Sequence, residues 1–309
     1  MRITKALLPV SLTIIATTSA CWPQKQMITR PALTASTQVA PASTIRPVDR
    51  IFVTNYQDMG TAVEAIFSFS PDLKAISFGE IHKDTASNLV SSMHYFAISV
   101  LPVLAKHGIK DIAWEFLPYS EKAASEVAEF NRSSKLGPFL SKQWAFNEDY
   151  CELLKMLEQA RSLGVSLYGI NPSGSAEQSL NTSNQAELIS KKTIEIAHRL
   201  LDAGKKVATY TGAQHNNLTP LNEEETDWSF GSDLRTYTHG KYVEVDIYVP
   251  ELINEYDEDR IALSDWKKYV PKTGVNLAAF PGGRYVLMLP LSAEPIVEKI
   301  PERSPNCAK

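Results

Sequence analysis

Lys74-Ala-Ile-Ser-Phe-Gly-Glu-Ile-His82 and Lys206-Val-Ala-Thr-Tyr-Thr-Gly-Ala-Gln-His215 share one design. Each is a short apolar run that reads as a buried strand, and each breaks at a glycine followed three residues later by a histidine. A third run, Asp111-Ile-Ala-Trp114, ends in Glu115. A parallel sheet delivers the carboxyl ends of its strands to one rim, and ligands bind in the crevice outside those ends. The spacing therefore predicts that Glu80, His82, Glu115 and His215 meet at one site although they lie far apart in the chain.

Outward from these runs, strand and helix patterns alternate. Strands are expected at 74–78, 111–115, 165–170 and 206–211, followed by 241–249 and 283–291, with a short edge element at 51–54. Helical spacing is read over 59–69, from Asp84 to about Lys106, over 120–130, about 147–161 and 184–202. Pro102 should bend the second of these helices or end its regular part. The acidic run Glu223-Glu224-Glu225 reads as a solvated loop. The order predicts an α/β fold: a mostly parallel central sheet with helices on both faces, antiparallel strands at one edge, and the site at the carboxyl-terminal ends of the strands.

The ends of the chain read differently. Arg2 and Lys5 precede the uncharged apolar stretch 6–17, then Thr18-Ser19-Ala20-Cys21. This is the layout of a secretory signal over 1–20, with an apolar core too short to span a bilayer. The last four of these residues resemble a bacterial lipobox, with Thr18 where Leu is usual, which implies cleavage before Cys21 and lipid attachment to its thiol. Trp22 in place of Asp implies, by the bacterial sorting rule, an outer-membrane lipoprotein of the cell envelope. Residues 21–47, rich in Thr, Ser, Ala, Pro and Gln, read as a flexible tether; 48–300 form a single α/β domain, and 301–309 a tail.

Of the three cysteines, Cys151 and Cys307 remain after Cys21. An exported chain can join them, but Cys151 lies in an expected helix, where cysteine commonly packs as a small apolar residue. A net charge of −4, from 31 basic and 35 acidic residues well mixed along the chain, leaves no basic stripe for nucleic acid.

Two imidazoles and two carboxylates can hold a divalent metal or run acid–base chemistry. Glu80 and His82, two residues apart, point the same way in an extended turn, and Gly79 permits a close approach. Glu115 closes an apolar strand and so needs a partner for a buried charge. Ser173 and Ser175 lack a nucleophile elbow, Asn171 belongs to the same rim, and Trp114, Trp144 and Trp228 are packing aromatics or the wall of an apolar cavity.

Phe78-Gly-Glu-Ile-His-Lys-Asp84, Ile112-Ala-Trp-Glu115 and Tyr210-Thr-Gly-Ala-Gln-His215 together resemble the superfamily that joins ChaN-like haem-uptake lipoproteins, erythromycin esterases and the Tiki/TraB metalloproteases. The resemblance spans about residues 70 to 290 and implies an α/β fold with Glu80, His82, Glu115 and His215 at the motif positions. It implies two functions. One is hydrolysis of an ester or amide, in a small molecule or a peptide, with these four residues as catalytic groups or as ligands of zinc, manganese or iron. The other is haem or iron capture without catalysis, with a haem shared between two copies as one arrangement; by residue type Tyr119, Tyr210 and His94 are candidate haem ligands, and none of them matches a family ligand position.

Overall fold

The computed structural model describes residues 51–82, 91–144, 150–172, 182–220, 223–253, 263 and 265–291. These lie within a compact unit that spans Pro47–Lys309. The signal, tether and tail, Asp84, Ser173 and Ser175 fall outside the described residues.

One eight-stranded sheet runs through this unit. Its strands are β1 (Phe52–Tyr56), β2 (Ala75–Glu80), β3 (Asp111–Pro118), β4 (Ser166–Asn171), β5 (Val207–Gly212), β6 (Tyr242–Tyr248), β7 (Val275–Phe280) and β8 (Arg284–Met288), in the spatial order β1-β7-β8-β6-β2-β5-β3-β4. The six strands from β8 to β4 are mutually parallel, and β7 turns back antiparallel between β8 and β1. The expected mostly parallel sheet with an antiparallel edge is the one observed. The late strand read at 283–291 is β8, and it forms a hairpin with β7, which was not expected; the turn between them holds Gly282 and Gly283 at positive φ of 86° and 82°.

Helices cover both faces. On one side α1 (Met59–Phe69), α2 (Ser92–Tyr95), α3 (Leu101–Lys106), α4 (Glu121–Ser133), α5 (Pro138–Trp144) and α6 (Tyr150–Leu163) pack on Ile76, Phe78, Trp114, Tyr210 and Val245. On the other, α7 (Thr182–Asp202) and α9 (Gly231–Tyr237) pack on Ala75, Ala113, Val207 and Tyr242. Among the described residues no helix is long and apolar enough to cross a membrane.

Between α2 and α3 the chain makes a π-helical turn, Phe96–Val100, just before Pro102, so the regular helix is interrupted there as expected. Two expectations change. The acidic run is helical, α8 (Glu223–Trp228), and Glu225 is buried instead of solvated. Cys151 is disulfide-bonded instead of packing as a free thiol, and its partner, Cys21 or Cys307, lies outside the described residues.

The topology places a crevice. β2 and β5 are neighbours, yet the chain leaves β2 for β3 through α2 and α3 on one face and leaves β5 for β6 through α8 and α9 towards the other. Connections that diverge from adjacent strands cannot cover the gap between their carboxyl ends.

Candidate acid–base site

The residues expected to converge do so at that gap. Glu80 is the last residue of β2, His82 lies two residues on, Glu115 is in β3, and His215 follows β5 by three residues. Strand alternation puts Glu80 on the face of Ile76 and Phe78, and Glu115 on the face of Ala113. The two carboxylates therefore approach the crevice from opposite layers, with the His82 ring between them.

Glu80, 4% exposed, is fully engaged. Its Oε1 lies 2.9 Å from His82 Nδ1, and its Oε2 accepts hydrogen bonds from the hydroxyls of Ser92 and Tyr210. This arrangement fixes the His82 ring and directs its Nε2 towards Glu115 Oε1, 3.7 Å away. Glu115 Oε2 accepts a 2.7 Å hydrogen bond from the Gly212 backbone N–H. Gly212 is required here: a Cβ at this position would lie 2.9 Å from His82 Nε2.

His215, 8% exposed, approaches from the other side. Its Nε2 is 3.9 Å from the same Glu115 Oε1, and its Nδ1 is 2.8 Å from the Trp228 carbonyl oxygen. A carbonyl only accepts, so Nδ1 carries the hydrogen, and in the neutral ring Nε2 keeps its lone pair.

Burial would raise the Glu115 carboxyl, but the charge of His215, the hydrogen bond and charge of His82 and the Gly212 N–H outweigh it and lower its pKa to about 2. Desolvation by itself would lower the pKa of His82; hydrogen bonds to Glu115 and Glu80, and their charges, prevail and hold the ring well above the ordinary imidazole value. The His82 side chain is still 51% exposed, so its proton is within reach of solvent. The ring edge of Phe116 packs against it, with centroids 5.7 Å apart.

The free donor atoms are His82 Nε2, Glu115 Oε1 and His215 Nε2. Around a tetrahedral metal with bonds of about 2.0–2.1 Å, donors stand about 3.3 Å apart. The 3.7 and 3.9 Å separations are wider than that, and among the described residues no group of three or more His, Cys, Asp and Glu is arranged to hold a metal ion. As the residues stand, the separations are wider than such a metal needs, and the arrangement can support proton transfer without one.

The secondary candidates separate. Tyr210 is fully buried, with its hydroxyl on Glu80, which removes it as an open haem ligand. Tyr119 is 50% exposed, and the Lys192 ammonium lies 3.7 Å from its ring centroid. Asn171 ends β4 at the rim, where its carbonyl accepts from the Tyr119 N–H. Trp114 and Trp144 pack together with centroids 5.9 Å apart, as packing aromatics should, whereas Trp228 serves the site through its carbonyl. Sequence reasoning missed Ser92, Tyr210 as the partner of Glu80, and Trp228. It also missed the acidic residues of β6, whose alternation in a central strand was the available signal.

No family model and no curated protein matches the chain. Solved structures do show likeness. The MARTX toxin effector domain RRSP of Vibrio vulnificus is 17% identical over 60% of this chain, with a TM-score of 0.42; the match spans 35% of that protein, about a third of its length. A Bacillus cereus protein is 10% identical over 63% of this chain and 72% of its own, with a TM-score of 0.45. ChaN of Campylobacter jejuni, which binds haem cofacially, is 16% identical over 74% of this chain and 90% of its own, with a TM-score of 0.39.

Proposed function

We propose that the protein is a cell-envelope lipoprotein that hydrolyses an ester or amide, with His215 as general base and His82 as general acid on either side of Glu115. One observation carries this reading: two imidazole Nε2 atoms face one carboxylate oxygen, at 3.7 and 3.9 Å, with opposite hydrogen-bond settings. The His82 Nδ1 faces the Glu80 carboxylate and the His215 Nδ1 the Trp228 carbonyl, and this difference in setting assigns the acid and the base. His215, with its hydrogen fixed on Nδ1 by Trp228, takes a proton from the attacking water at Nε2. The water oxygen bonds to the carbonyl carbon, and the bond from that carbon to the leaving oxygen or nitrogen breaks. His82, held protonated by its two carboxylates, gives its proton to the leaving group. Solvent then removes the proton from His215 and reloads His82. Glu115 stabilises whichever ring is charged, and Glu80, steadied by Ser92 and Tyr210, keeps His82 aimed.

The envelope location rests on the signal and Cys21, and the disulfide at Cys151 agrees with an oxidising compartment. With Cys21 lipidated, Cys307 is the partner of Cys151, and the lipid is the attachment to the outer membrane.

The test is turnover of a panel of p-nitrophenyl esters and short peptides by the full chain in the presence of a chelator. His82→Ala and His215→Ala should each lower kcat/KM by about 100-fold or more. With His82 as the acid, activity should fall as pH rises through a midpoint above 6.5. Turnover that survives in both variants overturns the assignment. Stoichiometric haem uptake with a Soret band and no turnover of any substrate replaces hydrolysis with haem capture.

A further inference from the structure

β6 carries a polar row that hydrolysis does not use directly. Tyr242, Glu244 and Asp246 alternate along the strand on one face, and all three are buried in the middle of a parallel sheet, at 1%, 2% and 5% exposure. Each reaches the loop that follows β5. The Tyr242 hydroxyl donates to the Asn216 carbonyl at 2.9 Å, Glu244 Oε2 accepts from the Leu218 N–H at 2.6 Å, and Asp246 Oδ1 accepts from Asn216 Nδ2 at 3.1 Å. Asn216 is the residue after His215 and is completely buried. From the other side residues 228–230 hold the same loop: the Trp228 carbonyl takes His215 Nδ1–H, and the Phe230 N–H donates to the His215 carbonyl at 2.8 Å.

We infer that Asp246 is a positioning residue for His215, acting as the buried acceptor that holds the Asn216 side chain. The Asn216 side-chain oxygen is buried with no hydrogen-bond partner among the described residues. Both side chains pack over Gly79, where a Cβ would stand 2.6 Å from Asp246 Oδ1 and 2.7 Å from Asn216 Oδ1. Asp246 Oδ1 accepts the Asn216 Nδ2–H, so an oxygen acceptor at this place is what holds the amide, and no negative charge is needed for it. The surroundings agree. Burial, then the charge of Glu244, pushes the Asp246 carboxyl well above the usual carboxylate range, against the Asn216 hydrogen bond and the Arg284 charge. Arg284 Nε is bound to Glu244 Oε1 at 3.0 Å, so Glu244 is the ionised member of the pair. Tyr242 faces the same pair, and burial keeps its hydroxyl protonated as a donor.

This inference rests on the proposed role of His215, but its test does not require turnover. In the full chain, the His215 ring nitrogens are read by long-range proton–nitrogen NMR, with His215→Gln to assign them, alongside kcat/KM against pH. Asp246→Asn replaces a neutral acid with a neutral amide of the same shape. It should leave the Nδ1–H tautomer signature in place and keep kcat/KM within about threefold. Asp246→Ala removes the link to Asn216. It should collapse the signature into averaged tautomers and lower kcat at least tenfold, with the folded fraction unchanged by circular dichroism. If Asp246→Ala unfolds the chain, Asn216→Ala is the second probe, with the same expectation for the ring. Tautomer loss in Asp246→Asn as severe as in Asp246→Ala shows that an ionised carboxylate is needed and overturns the inference. An unchanged His215 signature in Asp246→Ala overturns it too. Absence of turnover in the unmodified chain with both NMR expectations met counts against hydrolysis alone.

Discussion

Glu115 is the residue on which the two halves of the site depend, and its chemistry makes a prediction about stability. Its carboxyl titrates near 4.5 when unfolded and at about 2 when folded, so the folded state prefers it ionised. That preference is fully present above pH 4.5 and disappears as pH falls towards 2. Glu115→Gln should therefore flatten the fall in unfolding midpoint between these values, as measured by denaturant titration across pH. His82 works in the opposite sense: its raised pKa contributes stability below 6.5 that is lost as pH climbs through the folded value. Beside them, Gly212 governs reach. Gly212→Ala would place a Cβ 2.9 Å from His82 Nε2, so kcat should drop at least tenfold with little change in melting temperature. The charged residues of this site were legible because each directly follows an apolar strand. Gly212 was legible only as a break in a pattern, because its contact with His82 comes from a distant segment.

At the scale of elements, β6 shows what alternation conceals. Tyr242-Val-Glu-Val-Asp-Ile-Tyr248 reads as a strand from its apolar residues, and it is one. Alternation by itself would direct Glu244 and Asp246 to water, as at a sheet with one open face. A central position in a parallel sheet covered on both faces buries them instead, and they become the support of the loop that carries His215. Gly79 on β2 completes this packing. A Cβ there would stand 2.6 Å from Asp246 Oδ1 and 2.7 Å from both Ala213 Cα and Asn216 Oδ1. Gly79→Ala should therefore cost about 1–3 kcal/mol in chemical denaturation, the range for overpacking a filled interior. The π-helical turn at Phe96–Val100 was invisible for a related reason. It lies within an apolar helical pattern, and the Ser92 hydroxyl at the head of that segment is held by Glu80, a contact that no local periodicity reports.

For the whole molecule, strand order decides the position of the site. Neighbouring β2 and β5 are separated in sequence by β3 and β4, and their connections leave for opposite layers, so the gap at their ends stays open. The disulfide at Cys151 acts on the same scale, since it ties α6 to a cysteine distant in sequence. Cys151→Ser should destabilise the oxidised protein by about 2–4 kcal/mol, and a reductant should remove the difference between the two proteins. Equal stability of the two under oxidising conditions would show that the bridge contributes nothing.

The sequence by itself determined the α/β class, the central parallel strands and the meeting of Glu80, His82, Glu115 and His215. Strand runs repeated between helices place their ends on one rim whatever the strand order, so residues at those ends are already candidates. Only the tertiary structure decided which neighbours each side chain has. It set Glu80 among Ser92, Tyr210 and His82, put Trp228 on His215 Nδ1, and drew Asp246 under Asn216. These contacts join segments up to 130 residues apart and depend on strand order and layer. Strand order and layer are set by which apolar faces pack together, which local periodicity does not encode.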